Sequence, residues 1–395
     1  MNRHVELLAP AGDLDKLKLA FEYGADAVYI GGKAFSLRYF ASNFTFEDIK
    51  EGIKYAHERG KKVYVACNMV MHEEESINLE EYLIKLKEAE VDAVIISSLY
   101  ALNLAVRLGI EAHMSTQLSI LNSEAVSLFK SLGASRVVLA REANLEEINS
   151  ICSNVDVETE VFIHGGMCSS FSGKCMLSKE MSNRDPNRGG CAHSCRWKYH
   201  FYQNGQKMFP DDKYFSMSSK DLCALKEVTK LINSGVTSLK IEGRMKSYHY
   251  LASIISSYRL LIDAYYAGEP LFYEKYMQLI RYGENRLTGH GFFYGNVTKE
   301  EMLLNLNDEF ERAGEFVAIV REYDPANKIA KIEIKNKILV NNKYLVISPH
   351  LEPEPILIKA MRFKDEEITK FTVAGEIIEI EVDKDLHPFD LIRII

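Results

Sequence analysis

The segment DLDKLKLAFEYGADAVYIGG, residues 13–32, joins an amphipathic helix pattern to a short apolar strand pattern. Asp13 stands where a helix N-cap is expected, and Gly24 stands where a helix usually stops. The same junction returns in VDAVIIS, residues 91–97, and in LGASRVVLA, residues 132–140. Because apolar strands that alternate with helices are typical of parallel sheets, this repeat predicts an α/β fold.

Eight strand patterns of this kind occur in about the first 265 residues, and most are separated by a helix pattern. They are VELLAP, AVYIGG, KVYVACNMV, AVIISS, EAHMSTQLS, RVVLARE, VETEVFIHG and SLKIEGR. Eight alternating units predict a (β/α)8 barrel of the TIM type. An open, doubly wound sheet is the alternative, because the sequence does not show whether the first and last strands pair.

The connection between the seventh and eighth strand patterns is about 70 residues long, much longer than an ordinary strand-to-helix loop. We therefore treat residues 165–235 as an insertion after strand 7. It contains the turn-rich stretch RDPNRGG and the segment YHFYQNGQKMF, whose Asn-Gly pair predicts a hairpin. The insertion leaves the C-terminal end of a barrel strand, where barrel enzymes build their active sites.

A different pattern begins near residue 315, where short strands are separated by turn residues. These strands are EFVAIVREY, KIAKIEI, KYLVIS, PILIKAMRF and GEIIEIEV. They predict a small antiparallel β-barrel domain at the C-terminus. The expected organisation is a barrel domain over residues 1–275, a linker over residues 276–310 and the β domain over residues 311–395.

The composition is that of a soluble protein, since 47% of the 395 residues are hydrophobic and 26% are charged. No apolar run reaches the roughly 18 residues that span a membrane, and the N-terminus lacks the apolar core of a secretory signal. We therefore expect a cytoplasmic protein with no membrane partner. The net charge of −8 does not favour nucleic-acid binding, and no DNA partner is expected, but a local basic patch is compatible with RNA.

Four cysteines lie in the insertion, within HGGMCSSFSGKCMLS and GGCAHSCRW: Cys168, Cys175, Cys191 and Cys195. In a reducing compartment, clustered cysteines favour metal binding or catalysis over disulfides. Their spacing favours an iron–sulfur cluster, and it leaves open a zinc site, whose ligands usually form closer pairs, and reactive thiols. Cys223 lies near enough in sequence to replace one of the four, although a buried thiol is the simpler interpretation of it.

The segment EVFIHGGMCSSFSGKCMLS resembles the signature of peptidase family U32, which carries a collagenase-like protease name. The segments ELLAPAG, DAVYIGG, STQLS, RDPNRGGCAHSCRWKY and SLKIEGRMKS are similar to its other motifs, in the same order. The resemblance covers the whole barrel, and the C-terminal strands are similar to a domain often appended in this family. The combination is far more specific than any single motif.

The resemblance implies a function in hydroxylation. Family members are associated with 5-hydroxyuridine at the tRNA wobble position, with 5-hydroxycytidine in ribosomal RNA and with the ubiquinone ring. Such members resemble one another in holding a 4Fe-4S cluster on four cysteines, a pattern that transfers to Cys168, Cys175, Cys191 and Cys195. The layout is most similar to the tRNA subgroup, which implies prephenate as a co-substrate, tRNA as a partner and a second, paralogous U32 protein as a possible partner.

Two other functions stay open. One is a collagenase-like peptidase, a hydrolase, and the other is a non-enzymatic partner that binds RNA or protein. The sequence has neither a His-Glu-x-x-His nor a Gly-x-Ser-x-Gly motif, so a peptidase would need a Cys–His pair that uses His164 or His193. Cysteines held by a cluster would not be free to act as nucleophiles.

Polar residues at the predicted strand ends are the candidate lining of a pocket. The candidate catalytic residues are His164, Gln117, Glu242, Arg244 and Arg38, with Asn68, Arg141 and Glu142 at similar positions. Arginine pairs with carboxylates in a bidentate manner, which suits a prephenate-like dicarboxylate. Glu242 and Arg244 could instead pair with each other.

Two further features are candidate RNA contacts, each with a simpler interpretation. Lys331, Lys335 and Lys337 share one face of a predicted strand, which could also be a solvated edge strand. The aromatic residues Trp197, Tyr199, Phe201 and Tyr202 could stack on bases, although aromatics more often fill a core. Lys220 and Asp221 are expected to cap a helix.

Overall fold

The computed structural model describes residues 4–36, 43–208, 210, 213–298, 301–305, 314–349 and 351–394. Eight parallel strands form a closed barrel, because the last barrel strand pairs with both the first and the seventh. The barrel strands are β1 (Glu6–Pro10), β2 (Ala27–Gly31), β3 (Lys62–Cys67), β4 (Ala93–Ile96), β5 (Ala112–Met114), β6 (Arg136–Val138), β7 (Glu158–Gly165) and β12 (Ser238–Ile241). This closure confirms the predicted (β/α)8 barrel and excludes the open sheet.

Helices between the barrel strands cover the outside of the barrel. The helices of the chain are α1 (Leu14–Glu22), α2 (Phe46–His57), α3 (Glu73–Ser76), α4 (Leu79–Glu88), α5 (Leu99–Leu108), α6 (Ser123–Ser131), α7 (Leu145–Asn154), α8 (Leu177–Ser182), α9 (Val228–Asn233), α10 (Tyr248–Ala267) and α11 (Tyr273–Gly283). The cap predicted at Asp13 is present, since its carboxylate accepts a hydrogen bond from the Lys16 backbone N–H at 2.9 Å. Within the described ranges, no helix combines the length and apolar character that a membrane crossing requires.

The chain between β7 and β12 contains α8, α9 and four short strands. These strands are β8 (Tyr202–Gln203), β9 (Gln206–Lys207), β10 (Phe215–Ser219) and β11 (Asp221–Cys223). β8 and β9 form the predicted hairpin, in which Asn204 and Gly205 have positive φ angles of 51° and 79°, as its two-residue turn requires. The expectation that Asp221 caps a helix is wrong, because its segment pairs antiparallel with the end of β7.

The stretch expected as a linker contributes structure beside the insertion. It includes most of α11 together with β13 (Thr288–Gly289) and β14 (Met302–Asn305). β13 pairs with β11, and β14 pairs with β10. The insertion is therefore packed against a segment that follows the barrel in the sequence.

The C-terminal strands form a second, antiparallel barrel. They are β15 (Phe316–Asp324), β16 (Ile329–Ile334), β17 (Ile338–Leu339), β18 (Lys343–Ile347), β19 (Glu354–Phe363), β20 (Glu366–Ile368), β21 (Lys370–Phe371), β22 (Ile377–Val382) and β23 (Leu391–Ile394). Six of these close in the order β18-β23-β15-β16-β22-β19, with β19 pairing back to β18. The predicted β barrel is confirmed, and β16 is not an edge strand because it pairs with β15 and β22.

The β domain packs against the helical shell of the large barrel. The buried hydroxyl of Tyr23, the residue directly after α1, shares its one proton between the carbonyl oxygens of Ile347 and Phe389, at 2.7 and 2.9 Å. Arg321 of β15 pairs with Asp15 of α1 at 2.7 Å. Both contacts involve α1, so this helix joins the two domains.

Charged side chains fill the lower interior of the large barrel, where TIM barrels usually carry branched apolar residues. The guanidinium of Arg136 is 2.6 Å from Glu6, 2.7 Å from Glu158 and 3.1 Å from Glu160. Lys240 pairs with the fully buried Glu160 at 2.6 Å. Burial lowers the pKa of Lys240, and the charge of Glu160 opposes that shift. The barrel floor is thus a buried network of ion pairs.

Candidate active site at the barrel mouth

A cavity of about 320 Å³ opens at the C-terminal end of the barrel, between the strand ends and the insertion. Barrel residues such as Tyr29, Ile95 and Phe162 line its inner part. The insertion lines the remainder with all four clustered cysteines, Cys168, Cys175, Cys191 and Cys195. The structure therefore brings the predicted cysteine set to the predicted catalytic end of the barrel.

More cations than carboxylates line the cavity. The cations are Arg141, Arg196, Lys240, Arg244 and Lys246, and the carboxylates are Asp221 and Glu242. The Arg141 guanidinium lies 3.8 Å from the centre of the Phe162 ring, which holds it against the cavity wall. This excess of positive charge favours an anionic occupant, such as a metal cluster held by thiolates or a dicarboxylate.

The spacing of the thiols bears on the metal that they could hold. Among the residues that the structure describes, no three of these four cysteine sulfurs lie within 4.8 Å of one another. Four thiolates on one zinc ion at about 2.3 Å would lie about 3.8 Å apart. An iron–sulfur cluster is larger and separates its ligands further. The four sulfurs are therefore not arranged as the compact tetrahedron that a single zinc ion requires.

The loop between Cys168 and Cys175 is fixed to the barrel. Glu142, which follows β6, accepts hydrogen bonds from the backbone N–H and the hydroxyl of Ser172 at 2.8 and 2.9 Å. Gly173 has a φ of 73°, and a Cβ there would lie 2.2 Å from the carbonyl oxygen of Gln117. Glycine is therefore required for the close approach of this loop to the segment after β5.

A buried carboxylate holds the other side of the insertion. Asp221 lies 3.2 Å from Arg286 Nε and 3.7 Å from both Arg196 and Lys246. Arg196 directly follows Cys195, and Lys246 follows β12. Sequence reasoning missed Asp221 because its role depends on the pairing of β11 with β7, for which the sequence carries no local signal.

Most of the predicted pocket residues line the cavity: Gln117, Glu242, Arg244, Asn68 and Arg141. Gln117 Oε1 accepts from the Ser115 hydroxyl at 3.0 Å, while its Nε2 is buried and has no partner among the described residues. Arg244 donates to Ser36 and Asn43, each at 2.7 Å. Arg38 lies outside the described residues, so its expected role stays a prediction.

His164 does not line this cavity. A β-bulge near the end of β7 pairs Lys240 with Phe162 but Ile241 with His164, so one extra residue is inserted before the histidine. The bulge turns the His164 side chain outward, where its Nδ1 lies 3.2 Å from the Tyr258 hydroxyl. Burial lowers the pKa of His164 to about 3, which keeps the ring neutral.

Cys223 lies in the same buried cluster outside the cavity. Its sulfur is 3.9 Å from the Tyr258 hydroxyl, and its ligand atom and those of His164 and Glu284 lie within 4.8 Å of one another. Burial raises the pKa of the Cys223 thiol to about 12. Cys195 faces the cavity, and Cys223 does not.

Glu284→Gln is expected to make the protein more stable at alkaline pH. Burial raises the pKa of Glu284 to about 8, so the folded protein keeps a proton that the unfolded chain loses above about pH 4.5. Wild-type stability therefore falls as the pH rises from about 4.5 to about 8, whereas the glutamine variant has no proton to lose at this position. Between pH 7 and 9 the variant should gain about 1.4 kcal/mol relative to wild type in urea unfolding.

The matched control is Glu274→Gln on α11, the helix that ends just before Glu284; the Glu274 carboxylate is 85% exposed, and no such gain is expected. Above pH 7 His164 is neutral in both the folded and unfolded states, so it does not contribute to the difference. A pH dependence identical in wild type and Glu284→Gln would contradict the raised pKa.

The fold and the site define a (β/α)8-barrel protein with a cysteine-bearing insertion over a cation-lined mouth. The chain belongs to peptidase family U32. The model of this family matches residues 12–303, and the model of the family's C-terminal domain matches residues 312–393.

Three similar proteins carry different names. A "tRNA hydroxylation protein P1" of Bacillus subtilis is 39% identical over 98% of this chain and 94% of its own length. A "23S rRNA 5-hydroxycytidine C2501 synthase" of Escherichia coli is 37% identical over 67% of this chain and 40% of its own length. A "Collagenase" of Porphyromonas gingivalis is 34% identical over 67% of this chain and 66% of its own length.

Proposed function

We propose that the protein is an iron–sulfur enzyme that hydroxylates the wobble uridine of tRNA, with prephenate as a co-substrate. The observation that carries this proposal is the set of four cysteines that face one cation-lined cavity at the catalytic end of the barrel. The names of the Bacillus and Escherichia relatives, which state tRNA and rRNA hydroxylation, support RNA as the substrate. A cytoplasmic location and a paralogous partner are part of the same proposal.

The residues of the cavity fit a 4Fe-4S cluster. Cys168, Cys175, Cys191 and Cys195 would hold it, since their sulfurs are spread more widely than a zinc ion requires. When bound, such a cluster supplies electron transfer or a Lewis-acidic iron. Burial raises the pKa of the Cys168 thiol, and the charge of Arg141 only partly opposes that shift, so a bound metal would itself have to stabilise the thiolate.

The chain supplies binding and orientation for the other reactants. Hydroxylation converts a ring C–H into C–OH, a two-electron oxidation, so a bound co-reactant must both supply the oxygen atom and accept two electrons beside the uracil ring. Gln117 offers an unpartnered Nε2 donor, which suits a uracil carbonyl or a carboxylate. Arg244 is held in place by Ser36 and Asn43, and a fixed guanidinium suits the carboxylates of prephenate.

Nucleoside analysis of tRNA from a deletion strain tests the proposed function. We expect the 5-hydroxyuridine-derived nucleosides to disappear and to return with the wild-type gene. A gene carrying Arg244→Met should fail to restore them, because the cavity loses a fixed donor, while Arg107→Met on the exposed face of α5 should restore them fully. Unchanged nucleosides in the deletion strain would refute this function.

If a gene with substitutions at Gln117, Glu242 and Arg244 restored the hydroxylated nucleosides, the result would favour a non-enzymatic function in which the protein only binds RNA or another protein. Those three residues line the cavity, so a catalytic protein should not tolerate their loss.

A peptidase is the second candidate, because one relative is named a collagenase. The other predicted base, His193, does line the cavity with the cysteines. The remaining geometry gives a peptidase less support. A cysteine nucleophile needs a nearby histidine and a lowered pKa, but His164 faces outward and burial raises the pKa of Cys168. Cleavage of gelatin by purified protein, abolished by Cys168→Ser and retained after iron removal, would establish a peptidase instead.

A further inference from the structure

The insertion and the rest of the chain carry opposite charge. Residues 165–235 contain eleven Lys and Arg against six Asp and Glu, a net charge of +5, while the whole chain has −8 and the remainder therefore −13. Lys174, Lys179 and Lys198 are exposed, and none has a carboxylate within 4.0 Å among the described residues. A basic patch of this kind in an acidic protein indicates an anionic partner.

The same residues expose many large apolar side chains. Seven of the 22 such side chains that are exposed in the described chain lie in this segment: Phe171, Met176, Met181, Trp197, Phe201, Tyr202 and Met208. Trp197 is 40% exposed and stacks on Tyr199 at 6.5 Å between ring centres. This exposure leaves part of the indole ring accessible to a further planar group.

This surface is continuous with the cavity. Phe171 is 57% exposed and also lines the cavity, and so does Met245, which is also 57% exposed. Arg196 lines the cavity and immediately precedes Trp197. A chain that lies across the exposed aromatics would therefore reach the cavity mouth.

We propose that this insertion surface, formed by Phe171, Lys174, Lys179, Trp197, Lys198 and Phe201, binds the unpaired nucleotides of an RNA loop. The proposal rests on the proposed function and names the part of the molecule that recognises its substrate. Aromatic side chains stack on unpaired bases, and the lysines bind the phosphates between them. Bases in a duplex are already stacked, so the surface favours a single-stranded loop over a helix.

The lysines of the C-terminal barrel are less suited to this role. Lys331 pairs with Glu322 at 2.7 Å, and Lys335 pairs with Glu333. Only Lys337, which is exposed, has no carboxylate within 4.0 Å among the described residues. Two of the three predicted lysines are therefore neutralised locally, which gives the RNA contact predicted there less support than the insertion surface.

Fluorescence anisotropy with a labelled anticodon stem–loop tests the proposal. We expect Trp197→Ala to weaken binding about tenfold, since stacking of one base is lost. The pair Lys174→Glu and Lys179→Glu should reduce the slope of log affinity against log salt by about two. A fully paired RNA of equal length should bind about tenfold more weakly than the loop.

The controls are matched in residue type and exposure. Phe272→Ala removes an aromatic side chain that is 63% exposed outside the insertion, and Lys54→Glu reverses a lysine that is 78% exposed on α2. Both should bind the stem–loop as wild type does. Unfolding midpoints are compared for all variants, and Phe201→Ala, at a 48% exposed site, replaces Trp197→Ala if that variant is unstable.

Two results would refute RNA binding by the insertion surface: wild-type affinity in the Trp197→Ala and lysine variants, or equal affinity for the loop and the duplex. Either result would do so even if the deletion strain lacks hydroxylated tRNA. Weakened binding in these variants alongside unchanged tRNA nucleosides in the deletion strain would refute the proposed function and keep the surface.

Discussion

Arg136→Met is expected to lower the free energy of unfolding by about 3–5 kcal/mol at neutral pH, because it breaks a buried charge network. Arg136 is 3% exposed and pairs with Glu6, Glu158 and Glu160. Without it, Glu160 keeps Lys240, while Glu6 and Glu158 lose the guanidinium that joins them to the network. Methionine has a similar length, so the loss reflects charge and hydrogen bonding more than volume.

Urea-induced unfolding followed by circular dichroism measures this effect. Arg107→Met is the matched control, because Arg107 pairs with Glu80 at the surface and is 57% exposed, so its loss should cost about 0.5 kcal/mol. Combining Arg136→Met with Glu160→Gln should be less damaging than the sum of the two single changes, since the partners belong to one network. A loss at Arg136 no larger than at Arg107 would show that the network does not stabilise the barrel.

Serine in place of Cys168, Cys175, Cys191 or Cys195 is expected to abolish both the bound iron and the hydroxylated nucleoside. Protein purified without oxygen should contain about four iron atoms per chain, and each variant should contain fewer than about one. The physical reason is that a hydroxyl is a hard, weakly acidic ligand, whereas iron–sulfur clusters select thiolates. Iron and sulfide analysis with an absorption spectrum provides the measurement.

Two other cysteines serve as controls for this series. Cys152→Ser changes a half-buried thiol on α7 that contacts Thr159, and it should leave the iron content unchanged. Cys223→Ser should also keep the iron, because that sulfur faces the Tyr258 hydroxyl outside the cavity. Loss of iron in Cys223→Ser but not in Cys195→Ser would show that Cys223, and not Cys195, is the fourth ligand. A colourless protein that contains zinc would refute the iron–sulfur cluster.

The fold was predictable because each barrel unit repeats a local pattern. The junction after α1, with Gly24 before the apolar strand β2, is determined by consecutive residues of the chain. The equivalent junctions before β4 and β6 are determined in the same way. The turn at Asn204 and Gly205 is likewise a two-residue signal. Such features depend on neighbours in the chain, which a sequence displays directly.

The site was predictable only in part, because side-chain direction depends on partners far away in the chain. Simple alternation along β7 would place His164 beside Phe162 inside the barrel, but the bulge turns it outward. The residues around Asp221 predict a helix cap, but the pairing of β11 with β7 places its carboxylate beside Arg286. No local pattern reveals a bulge or an added strand.

The attachment of the cysteine loop has a consequence for protein engineering. Glu142, after β6, binds Ser172, and Gly173 packs closely against the backbone of Gln117, after β5. The backbone N–H of Val70 donates to the Asn187 carbonyl at 2.9 Å. Residues 165–235 transplanted onto another barrel, or synthesised as a free peptide, would lack these supports. A redox-active graft would therefore have to carry over the loops after β3, β5 and β6 together with the cysteines.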